Sequence, residues 1–335
     1  TTSGLGHVDP LLSPDTGTTT ASYYDDGLLK TRTDARGRLF SYTYDDLGRL
    51  TRVDYSAGTA SQFEYDGGTT ATTAHSVGQL SRISDESGDT TWAHDGLGRV
   101  LHKTQTVRHG ASSRRFVLGQ SWADTGTGAG KLQTQTYPGG AQLNYEYDSA
   151  GRLQRLTLNP VHTDGRGPDL GRTLVLADAI RYTALHQLQG WTWGSGVGYL
   201  RAHDGHGRLR SYPLGDPQGT GRAAGLLRTV DYDDAGRITA FTHTGAAGNA
   251  SAYDQSFSHD GLDRLTQQQT LGTTYGYDHD ASHNRTVHSI NGVATVLTTE
   301  TGSNRLAVRG STRYAYDDAG HLKSDGRQTY THSAR

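Results

Sequence analysis

Two stretches of this chain carry the spelling of an aspartic-protease motif, Asp15-Thr16-Gly17-Thr18 and Asp124-Thr125-Gly126-Thr127. In that chemistry paired carboxylates share one proton and activate water. Apolar strands must flank each motif, and Leu11-Leu12-Ser13-Pro14 and Ser121-Trp122-Ala123 are poor substitutes. Both stretches read as ordinary Thr/Gly-rich turns. Gly126-x-Gly128-x-Gly130-Lys131 is a partial phosphate-loop spelling, but Leu132 follows where that loop needs Ser or Thr. Sixteen His residues raise metal ligation, yet no His-Glu-x-x-His occurs and they scatter along the chain. Cys is absent, which removes disulfides and thiolate zinc sites. Trp191-Thr192-Trp193 puts two indoles on one face of an extended strand. Exposed, such a pair stacks on sugars; covered, it packs a wall. No nucleophile–base pair can be placed, so these residues point away from an enzyme and call for no cofactor.

The element that positions most of the charged residues is a repeated phrase: aromatic, Asp, two residues, Gly, Arg, apolar. It reads Tyr44-Asp45-Asp46-Leu47-Gly48-Arg49-Leu50, then His94-Asp95-Gly96-Leu97-Gly98-Arg99-Val100. It returns as Tyr147-Asp148-Ser149-Ala150-Gly151-Arg152-Leu153, His203-Asp204-Gly205-His206-Gly207-Arg208-Leu209 and Tyr232-Asp233-Asp234-Ala235-Gly236-Arg237-Ile238. Degenerate copies stand at His259–Leu265 and at Tyr316-Asp317-Asp318-Ala319-Gly320-His321-Leu322. Repetition at this scale marks an array of small units. Ahead of the Asp the chain alternates, as in Leu143-Asn144-Tyr145-Glu146-Tyr147, and it alternates again after the Arg. Alternation is a strand signal. Asp bonds backbone groups two residues on, and Gly permits positive φ, so Asp-x-x-Gly suits a tight hairpin turn. The phrase Arg is expected to stack on neighbouring Tyr rings or to pair with the turn Asp. Three His (His94, His203, His259) simply replace Tyr as the flat ring before the Asp.

Composition agrees. Only 33% of residues are hydrophobic and 45 of 335 are Gly, which favours a thin sheet with many turns over a thick core. Nineteen Tyr and the strict phrase spacing argue against disorder. Net charge is −2, so there is no electrostatic footprint for nucleic acid, and no run of eighteen apolar residues calls for membrane insertion. The fold expectation is all-β: serial antiparallel hairpins in one long strip. Residues 1–21 read as a connector or edge strand and 22–335 as the repeat array. Residues 67–75 continue the β pattern, 109–136 read as less regular, 159–176 as a loop insertion, and Gly215–Leu227 as a Gly-rich interruption. The best local helix candidate is Leu174–Ile180. Met is absent, even at position 1, and the chain stops inside a phrase, so it reads as a piece of something larger whose open edges recruit other strands.

The phrase with its flanks resembles the YD repeat of Rhs proteins, which also occurs in toxin-complex C components and teneurins. The resemblance runs from about Tyr23 to Arg335. Thr301-Gly302-Ser303-Asn304-Arg305-Leu306, followed by Tyr314-Ala315-Tyr316-Asp317, is similar to the late part of a bacterial Rhs core. The resemblance implies a curved strip forming part of a hollow β-shell, which in bacterial members encloses a C-terminal toxin until delivery. It implies a secreted or cell-surface effector made in a bacterial cytoplasm. Its partners would be the rest of its own polypeptide, including the toxin, and secretion-system components. The family's Asp-Pro-x-Gly cleavage signature is missing from its expected surroundings; Asp9-Pro10 shares only the Asp-Pro step, and Asp216-Pro217-Gln218-Gly219 lies mid-chain. The phrase residues are then structural. The competing reading is a cell-surface carbohydrate-binding or adhesion module with Trp191 and Trp193 stacking on glycans. A concave strip favours the shell and a flat two-sided sheet the binder.

Overall fold

The computed structural model describes residues 10–67, 75–162, 164–165, 167–215, 223–245 and 250–333. Almost every described segment is a strand or the turn joining two; the one helical segment is a 3₁₀ turn at Ala250–Tyr253. Strand order follows chain order in three open sheets. Sixteen strands run from Leu11–Ser13 to Gly198–Leu200, eleven from Ala202–His203 to Thr312–Arg313, and Ala315–Tyr316 pairs with Leu322–Ser324. The end strands of a sheet do not pair with each other, so none of the three closes into a barrel. This is the serial antiparallel strip that the alternation predicts.

The phrase sets the register. Strand Gln142–Tyr147 faces Leu153–Asn159, with Leu143 opposite Leu158 and Tyr145 opposite Leu156. One residue is then extra, because Glu146 faces Arg155 while Tyr147 faces Leu153. The same slip recurs between Thr43 and Tyr44, between Ala93 and His94, and between Asp231 and Tyr232. Each phrase therefore carries its own bulge, and bulges sharpen local twist.

Four sequence expectations need correction. Leu174–Ile180 is no helix: Leu174–Tyr182 is a strand paired with Leu188–Trp193. Ala179 sits at φ +49 and the register slips between Asp178 and Arg181, which broke the alternation that marks a strand. The insertion after Asn159 accordingly ends at residue 173. The stretch 109–136 holds the longest strand, Ser112–Trp122, paired with Val100–His109. The Gly-rich interruption ends where strand Leu226–Tyr232 begins. Most of 67–75, and all of Asp216-Pro217-Gln218-Gly219, lie outside the described residues.

The chain divides into two compact units. Unit 1 comprises 1–120 and 297–335, and unit 2 comprises 121–296. In unit 1 the buried apolar side chains among the described residues are Phe40 and Val53; in unit 2 they are Ala177, Leu226 and Val230. So few cannot make a thick core. Rings and guanidinium groups cover the sheet instead: Phe40 meets Tyr55 edge-on at 5.9 Å and carries the Arg32 guanidinium at 4.6 Å.

Candidate functional site

The repeated turn has one geometry. At Asp45 the backbone N–H donates to Arg49 O (2.9 Å), and the Gly48 N–H donates to Asp45 O (2.9 Å). Asp45 Oδ1 accepts the N–H groups of Leu47 (3.0 Å) and Arg49 (2.9 Å), and Oδ2 accepts Arg49 Nε at 2.7 Å. One carboxylate thus fills three donors within the five residues Asp45–Arg49. Asp95 with Arg99, Asp148 with Arg152, Asp204 with Arg208, and Asp260 with Arg264 repeat the pattern, each with its Nε–Oδ2 contact between 2.6 and 2.9 Å. Asp233 accepts the backbone N–H and Nε of Arg237 at 2.9 and 2.7 Å. Gly48, Gly98, Gly151, Gly207, Gly236 and Gly320 all take φ between +72 and +83. Asp-x-x-Gly forms a hairpin turn held by this set of bonds.

The carboxylates respond to their partners. The Arg208 side chain, then backbone N–H groups, hold Asp204 down at about 2. At Asp260 the Arg264 backbone N–H leads, again giving about 2. Such groups stay ionised at any ordinary pH and are clamps, not proton carriers.

The phrase Arg then reaches the next phrase. Arg49 lies 4.5 Å from the Tyr65 ring centre, Arg152 5.0 Å from Tyr182, Arg208 4.5 Å from Tyr232, and Arg305 5.4 Å from Tyr316. The capped Tyr donates its hydroxyl back to the chain just after that Arg: Tyr182 to Leu153 O (2.9 Å), Tyr232 to Leu209 O (2.8 Å) and Tyr316 to Leu306 O (3.0 Å). Both roles foreseen for Arg are therefore filled by one side chain. Arg237 and Arg264 reach forward without a Tyr, donating to Asp260 O (3.0 Å) and Asp280 O (2.7 Å). The result is a ladder along one edge of the strip.

Some members of this ladder escape the phrase spelling. Lys131 stands in for Arg, 5.5 Å from the Tyr147 ring and bonded to Gly151 O. Tyr182-Thr183-Ala184-Leu185-His186-Gln187-Leu188 is a phrase without Asp, Gly or Arg; His186 takes the glycine's place at φ +61. A Tyr six residues ahead of a Leu is the one signal that marks it. In the last phrase His321 replaces Arg and sits 3.1 Å from Asp317 Oδ1.

The other flagged residues have structural employment. Asp15 accepts the Asn304 N–H at 2.6 Å, which ties the start of unit 1 to its end. Arg305 reaches Asp15 O and Arg36 reaches Asp317 Oδ2, both at 3.4 Å. A Cβ on Gly17 would stand 2.7 Å from Asp318 O, so these turns touch backbone to backbone. Asp124 lies in unit 2, in the turn ahead of strand Leu132–Thr136. Among the described residues no three His, Asp or Glu gather to hold a metal. Trp191 stacks on Tyr199 at 4.1 Å, and Trp193 meets Trp191 edge-on at 5.2 Å. Trp193, 44% exposed, lines a cleft of about 460 Å³ with Val197, Tyr199, Pro213 and Leu214.

The RHS repeat family matches at residues 23–60 and 127–160, ranges that contain the Tyr44 and Tyr147 phrases. Double-stranded DNA deaminase toxin A of Burkholderia cenocepacia (strain H111) is 28% identical over 239 residues, 66% of this chain and 15% of that protein. Among solved structures, TcdB2-TccC3 shares the fold at a TM-score of 0.75 and 18% identity, over 95% of this chain and 19% of that one. The Photorhabdus luminescens Tc holotoxin pore matches at 0.75 and 17%, over 95% of this chain and 18% of that one. This chain thus spans under a fifth of the length of each. Family matches that contain these clamped turns, and the same strip fold in toxin-complex structures, show a chain that carries RHS repeats in a YD-type strip.

Proposed function

We propose that this chain is a wall segment of a toxin-enclosing shell, which separates a toxic polypeptide of the same protein from the cytoplasm until delivery. The supporting observation is the contact in unit 1 between the Asp317–Gly320 turn and the Asp15–Gly17 turn, some 300 residues earlier, by which the strip meets itself side on. A strip joined along its turns can exclude macromolecules with no active site of its own. The relative's name, a DNA deaminase toxin, suggests the kind of cargo, and the solved structures that share the fold include a Tc holotoxin pore, a setting in keeping with a delivered effector. The chain's own contribution is non-enzymatic, its partners are the rest of its polypeptide and the delivery machinery, and the phrase residues serve the wall. Protease protection of the cargo tests this. In the intact polypeptide the cargo should resist digestion, and substitution of the joining residues (Asp15→Ala with Arg36→Ala) should expose it. A cargo cut as fast in the parent as when free refutes the proposal.

The Trp193–Tyr199 cleft favours a second reading, glycan binding at Trp191 and Trp193. Glycan-array binding lost in Trp193→Ala would support it; an array with no binding removes it.

A further inference from the structure

In a meander the turns alternate between the two edges of the strip. The phrase turns share one edge; the turns at Asp15, Asp34, Leu271 and Asn291 lie on the opposite edge. On the phrase edge of unit 1, three successive turns expose an apolar side chain just before the glycine. Leu47, Val77 and Leu97 are 76, 86 and 77% exposed. Each repeat advances two strands, so these side chains stand about 10 Å apart in a row. The turn does not need them, since Ala150, His206 and Ala235 fill the same position in other copies with the clamp intact. Bare apolar rows of this kind mark contact surfaces.

Unit 1 also contains an example of what such an edge meets. At its seam, phrase-edge turns (Glu300–Arg305 and Asp317–Gly320) sit against opposite-edge turns (Asp15–Gly17 and the Asp34–Gly37 turn). There Ala319 holds the position of Leu47, and it is half-buried. A free opposite edge occurs in unit 2, where Leu271 and Val293, at successive turns, are 69 and 74% exposed. Both edges repeat every two strands, so apolar residues on one can face apolar residues on the other over several turns.

We propose that the Leu47–Val77–Leu97 row is a docking surface for the opposite edge of a second copy of this chain, at Leu271 and Val293. The joint repeats, between copies, the edge-on-edge contact of the unit 1 seam. It is heterologous, since the two surfaces differ, and the pair keeps one free edge of each kind, so further copies can add. Its apolar area falls well below the ~800 Å² per partner of a standard interface, so the association is weak and reversible.

Sedimentation velocity on the 335-residue chain, from low to high micromolar, tests this. The parent should show concentration-dependent dimers and larger species. A phrase-edge variant (Leu47→Lys, Val77→Lys, Leu97→Lys) and an opposite-edge variant (Leu271→Lys, Val293→Lys) should each be monomeric, with dissociation constants raised at least about tenfold. Mixed, the two variants retain one good edge each and should form a dimer and nothing larger. Thermal melts equal to the parent's confirm folding, and a Ser series at the same positions replaces any Lys variant that melts lower. A parent monomeric throughout, a phrase-edge variant that associates like the parent, or a mixture that stays monomeric overturns the proposal.

Discussion

Asp204-Gly205-His206-Gly207 contains two glycines, and only one of them should matter. Gly207 lies at φ +78, while Gly205 is outside the left-handed region. A Cβ on Gly205 meets nothing within 4 Å; on Gly207 it meets Leu185 Cδ1 and Gln187 Nε2, each at 3.3 Å. Left-handed backbone costs an L-residue roughly 1–2 kcal/mol. Displacing Gln187 also weakens its hydrogen bond to Gly207 O, 2.6 Å long, and a bond of that kind is worth about 0.5–1.5 kcal/mol. Gly207→Ala should therefore destabilise by about 1.5–3.5 kcal/mol. Gly205→Ala should be neutral, or stabilising by up to ~1 kcal/mol because it stiffens the unfolded chain. Gly207→Asn should recover part of the loss, as Asp263 and His283 occupy the same turn position at φ +62 and +65. Urea unfolding followed by circular dichroism reads the difference as a midpoint shift multiplied by m. Equal shifts for the two alanine variants, or a Gly207→Ala protein as stable as the parent, would refute the turn geometry.

Tyr232→Phe keeps the ring under Arg208 and removes the 2.8 Å bond to Leu209 O; urea melts should show a loss of about 0.5–1.5 kcal/mol. Asp204 is held at about 2 in the fold against an ordinary 3.8, so its contribution is complete above the ordinary value and disappears as pH falls through about 2. The stability gap between parent and Asp204→Asn should accordingly narrow on titration from pH 4 towards 2, and a gap that is constant with pH would contradict the clamp. Asp15→Ala should speed hydrogen exchange at the Asn304 amide, whose acceptor it deletes, and leave the amides of strand Gln142–Tyr147 unchanged.

The phrase was legible because its physics is local. Asp, Gly and Arg act on one another within five residues, so spacing alone reveals the hairpin. Where the turn chemistry is spelled differently, the reading failed. Lys131 and the Tyr182–Leu188 copy do their neighbours' work with other side chains, and the bulge at Ala179 concealed a strand behind a helix-like spacing. The Gly-rich stretch Thr125–Gly130 coloured the reading of 109–136, yet it forms only the turn that follows strand Ser112–Trp122. The seam was invisible for another reason: Asp15 and Asn304 are 289 residues apart, and neither side chain announces the other. Read alone, Asp15-Thr16-Gly17-Thr18 was an ordinary turn; its partner shows that the turn is also a joint.

The ladder of Arg on the following Tyr has a direction, and so does protein synthesis. A finished phrase such as that of Arg152 presents an Arg and a carbonyl that wait for a Tyr not yet made, and a later hairpin delivers it thirty residues on, at Tyr182. Short-range contacts of this sort form fast. The strip can be laid down hairpin by hairpin as it leaves the ribosome, every unit templated by the one before. The seam of unit 1 cannot, since Asn304 emerges 289 residues after Asp15 and Asp317 emerges 281 after Arg36. The joint between those turns therefore forms only after the Asp317 phrase has been translated, which makes the order of synthesis a clock for joining the strip to itself.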